Sequence, residues 1–342
     1  MKVYIQIAAL LLAVLLGVGC STKTARKRPV KGRARVAKAR VTKAKKIGCA
    51  DIFTLAKRGK YKEVKQLVGK QCDLSAKDLK GRTALSCAAE GAKTKTVQLL
   101  LEKGADVNSK DNEGNSVIMN AVKSKNSIVI ETIRVLLQNG ADINATNNDE
   151  DTALIRAVID MRPALVNLFI KNDADVNASN KLGNTSLMYA VSKGEIKTVN
   201  MLFRKNPDTN TKSKQGETAL MWAGSAGNLE IAKLLLDKGA DIKLRSEKGD
   251  TALIWAASAG RTEIVRLFLD KGADINSKSN DGFTAISLAA AYSQTPATVK
   301  LLIEKGADFN IKDQWGFRTL THAKRHQNKE IIDMLKAAGA KE

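Results

Sequence analysis

Residues 216–242 read GETALMWAGSAGNLEIAKLLLDKGADI, and residues 249–275 read GDTALIWAASAGRTEIVRLFLDKGADI, a near copy displaced by 33 positions. Thr185, Thr218, Thr251 and Thr284 keep the same spacing, and drifted copies open at Gly81, Gly114, Glu150 and Gly183. A period of this length marks a solenoid, in which each unit contacts its neighbours and none can bury its own apolar face alone. Eight units run from about residue 78 to the end, with a degenerate one over about 48–77.

The recurring letters have physical reasons. Gly216 and Gly249 stand where a tight turn needs a positive φ, and Thr218 and Thr251 where a hydroxyl can satisfy a free N–H at a helix start. Ala256 and Ala257 let one helix lie close against another. Gly227 and Gly260 suit a left-handed stop between two helices. In the second helix, Ile264, Leu267, Phe268 and Leu269 predict a wide apolar face. Pro163 and Pro296 fall at the start of second helices, where proline is tolerated.

TAL, a small-residue pair, V or I before LL, and GAD(V/I)N together resemble the ankyrin repeat, over roughly six sevenths of the chain. The resemblance implies an all-α solenoid of helix–turn–helix units with hairpin loops, about nine units including degenerate caps, over residues 47–342. It also implies that first helices and hairpin tips line a concave partner surface. Departures are local. Three extra residues fall within Lys125–Ile130, one near Gln294, Asn206-Pro207-Asp208 replaces GAD, and Glu150 replaces a turn glycine. Lysine-rich first and last units read as soluble caps.

Residues 1–46 differ in kind. An apolar run, VYIQIAALLLAVLLGVG, leads to Cys20. A cysteine after Gly17-Val18-Gly19 resembles the bacterial lipoprotein signal, in which that cysteine takes the lipid and becomes the mature N-terminus. The family prefers leucine three residues before the cysteine; here Leu16 lies four before. The expectation is a signal peptide over 1–19 and a lipidated Cys20 opening a basic tether over 20–46, in a bacterial envelope. A cytoplasmic or host-directed regulator with an uncleaved N-terminal anchor is the alternative, and the positive charge that follows the run favours leaving the repeats in the cytoplasm.

Residues 23–46 hold twelve Lys or Arg, among them Arg26, Lys27, Arg28, Lys31, Arg33 and Arg35, and no acid. With Lys2 they account for 13 of the 57 basic residues, so the repeats carry 44 against 35 acids, and most of the net +22 belongs to the tether. Such a segment suits an anionic lipid surface or an acidic polymer. An envelope-tethering role for it is a second functional class.

Catalytic chemistry finds little footing. No CxxC, GxSxG or GxxxxGK[ST] pattern occurs. His322 and His326 share a helix face at i, i+4 without a third ligand nearby, and read as exposed capping residues. No metal, cofactor or small-molecule substrate is expected. Cys87 reads as a small buried hydrophobe, and whether Cys49 and Cys72 pair is open.

A non-catalytic scaffold for a protein partner is therefore the expectation. One aligned column, two residues after the TAL-type leucine, reads Cys87, Asn120, Arg156, Tyr189, Trp222, Trp255, Leu288 and His322. Tyr189, Trp222 and Trp255 would form an aromatic ladder flanked by Arg156, or wedge between helices. Leu182 and Trp315 are apolar at hairpin tips expected to be exposed. Aromatic and arginine side chains dominate interface energies.

Overall fold

Thr218 ends the turn before its helix with its hydroxyl accepting from the Met221 N–H, and the same bond recurs at Thr83, Ser116, Thr152, Thr185, Thr251 and Thr284. Each such cap stabilises its helix by about 1 kcal/mol. The computed structural model describes residues 48–293 and 295–341. The readings placed on Cys20, on Arg26, Lys27, Arg28, Lys31, Arg33 and Arg35, and on the extra residue near Gln294 lie outside the described residues.

Eighteen α-helices form nine consecutive hairpins among the described residues. They are α1 (Ile52–Arg58) with α2 (Tyr61–Gly69), α3 (Ala84–Glu90) with α4 (Thr94–Glu102), and α5 (Val117–Val122) with α6 (Val129–Gln138). Next come α7 (Ala153–Ile159) with α8 (Pro163–Lys171), α9 (Ser186–Ser192) with α10 (Ile196–Leu202), and α11 (Ala219–Ala226) with α12 (Leu229–Asp237). The last are α13 (Ala252–Ser258) with α14 (Thr262–Asp270), α15 (Ala285–Tyr292) with α16 (Pro296–Glu304), and α17 (Thr319–Arg325) with α18 (Lys329–Ala337). The chain is an all-α repeat solenoid, as its period predicts.

First helices stack on first helices and second helices on second. Close approach in the inner row follows from small side chains: Ala256 and Ala257 of α13 are fully buried. Second helices carry the bulk. In α14, Ile264, Val265 and Phe268 are sealed, while Leu267 and Leu269 are half-exposed. The apolar face is thus centred one step from the predicted one, because Val265 takes the inward position. Full burial of a side chain such as Phe268 stabilises by about 2–3 kcal/mol.

Two hydrogen-bond ladders join the units. Along the hairpin tips, Asn112 N–H donates to Lys80 O, Asn148 to Glu113, Lys181 to Asp149, Lys214 to Leu182, Glu247 to Gln215, Asn280 to Lys248 and Gln314 to Asp281. The second ladder uses the asparagine of GADxN. Asn108 Oδ1 accepts from Asp142 N–H at 2.8 Å, Asn210 from Asp241, and Asn276 from Asp308. That letter recurs because it satisfies the next unit's backbone.

Gly216 shows why the tips tolerate little else. Its φ is +72°, and a Cβ there would lie 2.5 Å from the Glu247 nitrogen of the following unit. Glu150 holds the equivalent left-handed conformation, φ +61°, with a side chain. Asn206, where GAD is replaced, also sits at φ +45°, after a short 3-10 turn (Phe203–Lys205).

Cys49 and Cys72 form a disulfide, with Cα atoms 5.5 Å apart. It ties the 3-10 turn Cys49–Asp51 to the end of the first helix pair. Cys87 is free and buried, as expected, and burial pushes its thiol up to about 11. No helix among the described residues is long and apolar enough to cross a membrane.

Candidate partner-binding surface

The aligned column turns inward on its own unit. Asn120 Nδ2 donates to Asp111 at 3.1 Å, Arg156 pairs with Asp151 at 3.6 Å, and the Tyr189 hydroxyl accepts from Asn180 at 2.9 Å. Trp222 Nε1 donates to Glu217 at 3.2 Å and His322 lies 2.9 Å from Asp313, while Trp255 stands near enough to Asp250 to favour its charged form. Each partner stands five or nine residues earlier, in the hairpin that precedes the helix. At Asn120, Arg156, Tyr189, Trp222 and His322 the column therefore braces a first helix to its own loop, whereas Leu288 is simply buried.

This narrows the expected aromatic ladder. Tyr189 and Trp222 do meet, edge to face, with ring centroids 6.1 Å apart. Trp255 is instead set beside Asp250 of its own unit. All three rings are half-buried, so each keeps part of its surface accessible. Arg156, in the preceding unit of the column, has its charge committed to Asp151.

One expectation is overturned. His322 is 7% exposed, not a solvated cap, because Asp313 and the rings of Phe283 and Phe317 enclose it. His326 is exposed and lies edge-on to Tyr292 at 5.2 Å. The two imidazoles are thus divided between different neighbours.

Asp250 is the least comfortable of the loop acids. It is 3% exposed, and its Oδ1 has no hydrogen-bond partner. Burial, opposed by Lys248 and reinforced by Asp281, pushes its carboxyl up to about 6. The equivalent Asp151 has both Arg156 and Asn180 Nδ2 to answer it.

The tips carry the side chains most available to a partner. Leu182 and Trp315 are 61% and 56% exposed, as predicted, and Trp315 leans on Phe283 with centroids 5.8 Å apart. Leu79, fully exposed, went unnoticed in the sequence, although it sits 33 residues before Asn112 and so at an aligned tip position. The first tip residue is also structural in several units. Asn112, Asn148 and Asn280 each donate from Nδ2 to a backbone carbonyl of the unit before. What remains free to vary is the second tip position, from Lys80 and Glu113 to Trp315.

The inserted loop between α5 and α6 is held from outside. Arg162 Nη1, in the next unit, donates to Val122 O and Ser124 O at 3.2 and 2.7 Å. A guanidinium there also complements the negative end of α5. Ile128, at the far side of the insertion, stays 54% exposed.

Comparison with protein families agrees with this geometry. The family model described as "Ankyrin repeats (3 copies)" matches residues 52–147, 129–213 and 197–279, and the model described as "Ankyrin repeat" matches residues 281–314. No curated protein matches the chain. With nine helix hairpins in register and these matches spanning most of its length, the chain belongs to the ankyrin repeat family.

Proposed function

We propose that this chain is a protein-binding scaffold held at the outer side of a bacterial membrane, with a lipid on Cys20 as its anchor. Ankyrin repeats serve protein interaction, and the tip ladder is the observation that carries the binding reading. Seven unit-to-unit backbone hydrogen bonds fix the tips, so Leu182 and Trp315 are presented without an ordering penalty. The half-buried Tyr189, Trp222 and Trp255 form the adjoining wall, with Arg156 beside them.

Export is supported by the Cys49–Cys72 disulfide, since such bonds persist in oxidising compartments. The basic residues of 23–46 would be drawn to anionic headgroups by about 1 kcal/mol each near a PS-rich surface. Intact mass of the native, membrane-fractionated protein tests the anchor: a chain starting at an acylated Cys20 is expected, and a full-length chain from Met1 overturns it. Photo-crosslinking tests the surface. Probes at positions 182 and 315 are expected to capture one common partner, and a probe at Glu230, on a second helix, is not. Equal capture from all three sites would reject the concave surface as the binding face.

A further inference from the structure

An open cleft of about 600 Å³ lies between the degenerate first unit and the second, lined by Phe53, Lys57 and Arg58 of α1, by Lys77 and Leu79 of the first hairpin, and by Arg82. Of the ten lining residues four are cationic and one, Asp78, is acidic. The nearby acids do not cancel them. Asp78 is consumed by Arg82 at 2.6 Å and by the Lys80 and Arg82 backbone N–H groups, which with Arg82 hold its carboxyl below the usual range against the opposing effect of burial. Glu90 bridges Lys57, at 2.6 Å, and Arg82.

Arg58 and Lys77 are left with no carboxylate partner among the described residues. Arg58 is exposed in the last turn of α1, and Lys77 gives its ammonium only to the Lys110 carbonyl, at 2.9 Å. Two uncompensated positive charges therefore face a cleft whose rim carries a fully exposed leucine and whose wall includes the half-buried Phe53. The disulfide fixes the neighbouring turn, which supplies Ala50 to the same wall.

We propose that this cleft receives an acidic segment of the partner protein, in which carboxylates flank a bulky apolar side chain. The proposal rests on the protein-binding reading above and adds the chemistry of what is bound at this end of the array. A free inorganic anion is a poorer fit. It could meet Arg58 and Lys77, but it would leave the apolar Phe53 and Leu79 of the same cleft uncovered. An extended acidic segment meets Arg58 and Lys77 at its charges, and Phe53 and Leu79 at its apolar residue, without breaking either pair.

The test uses the full chain and a fluorescein-labelled Glu-Glu-Leu-Phe-Glu-Glu peptide, with its Gln-for-Glu twin and inorganic phosphate as comparators. Anisotropy is expected to show salt-sensitive binding of the acidic peptide alone. The double variant Arg58→Glu, Lys77→Glu is expected to weaken it about tenfold or more, and Leu79→Ser several-fold. Leu79 is fully exposed, so its variant stays informative even if the charge reversal disturbs folding. Lysine acetylation footprinting is expected to show Lys57 and Lys77 protected by the peptide. The proposal is overturned if protection is confined to lysines of residues 23–46, if phosphate competes as well as the peptide, or if neither variant changes affinity. Any of those results would leave crosslinks from positions 182 and 315 untouched, so the scaffold reading fails or stands separately.

Discussion

His322 Nε2 lies 2.9 Å from Asp313 Oδ2, with the two side chains only 9% and 2% exposed. Asp313 uses its other oxygen to accept from the Trp315 and Phe317 backbone N–H groups, at 2.9 Å each. The last hairpin and the last inner helix are thus joined through one imidazole. Burial holds the His322 pKa below 6.5, Asp313 opposing, with Arg325 and His326 adding to the depression.

That shift has a sign. A folded-state pKa below the unfolded one means the unfolded chain takes up protons first, so the neutral imidazole's contribution is full above about 6.5 and is lost as pH falls through the lower folded value. Exchange protection, corrected for the intrinsic pH dependence of amide exchange, is expected to fall at α17 and α18 between about pH 7.5 and pH 5, more than at α11 and α12. His322→Gln should flatten that difference. A uniform loss of protection along the array would refute the assignment.

Asp250 should behave in the opposite sense. Its folded pKa of about 6 lies above the ordinary aspartate range, so its stabilising protonation is complete below the ordinary value and is lost as pH rises through the folded one. Asp250→Asn is expected to stabilise the protein by about 1–2 kcal/mol near neutral pH and by close to nothing below about pH 4. Denaturant melts at the two pH values check it. Destabilisation at neutral pH would mean that the carboxylate's charge is needed in the fold, and would overturn the assignment.

A tip glycine and a helix-end glycine allow a paired comparison. Gly216 and Gly239 have φ of +72° and +87°, yet only at Gly216 would a Cβ strike the next unit, while nothing lies within 4 Å at Gly239. Gly239→Ala is expected to cost about 1 kcal/mol from backbone strain alone. Gly216→Ala should cost clearly more, because the Glu247 N–H to Gln215 O bond sits at the collision point. Equal losses would show that the tip ladder carries no energy.

The Cys49–Cys72 bridge closes a loop with a sequence separation of 23. Its removal, as Cys49→Ser with Cys72→Ser, is expected to destabilise the first unit by about 2–4 kcal/mol. Exchange protection should fall in α1 and α2 and remain in α7 through α12, because a solenoid's units couple mainly to their neighbours. Loss of protection along the whole array would contradict that locality.

The 33-residue period, the Thr218-type caps and the small pair Ala256–Ala257 were enough to establish the helix hairpins from sequence, because each is set by contacts within one unit or with its neighbour. For the same reason Leu182 and Trp315 could be read as exposed tips. The roles of Trp222, Trp255 and His322 could not be read, since their partners Glu217, Asp250 and Asp313 occupy hairpin positions that look like variable loop. Whether a ring there points outward or binds its own loop depends on how the turn folds back over the helix. Tertiary structure also decided the Cys49–Cys72 pairing and the surplus charge at Arg58 and Lys77. Ion pairing depends on distances across units that a linear sequence does not contain, and Glu90 reaches Lys57 only once the first two units are stacked.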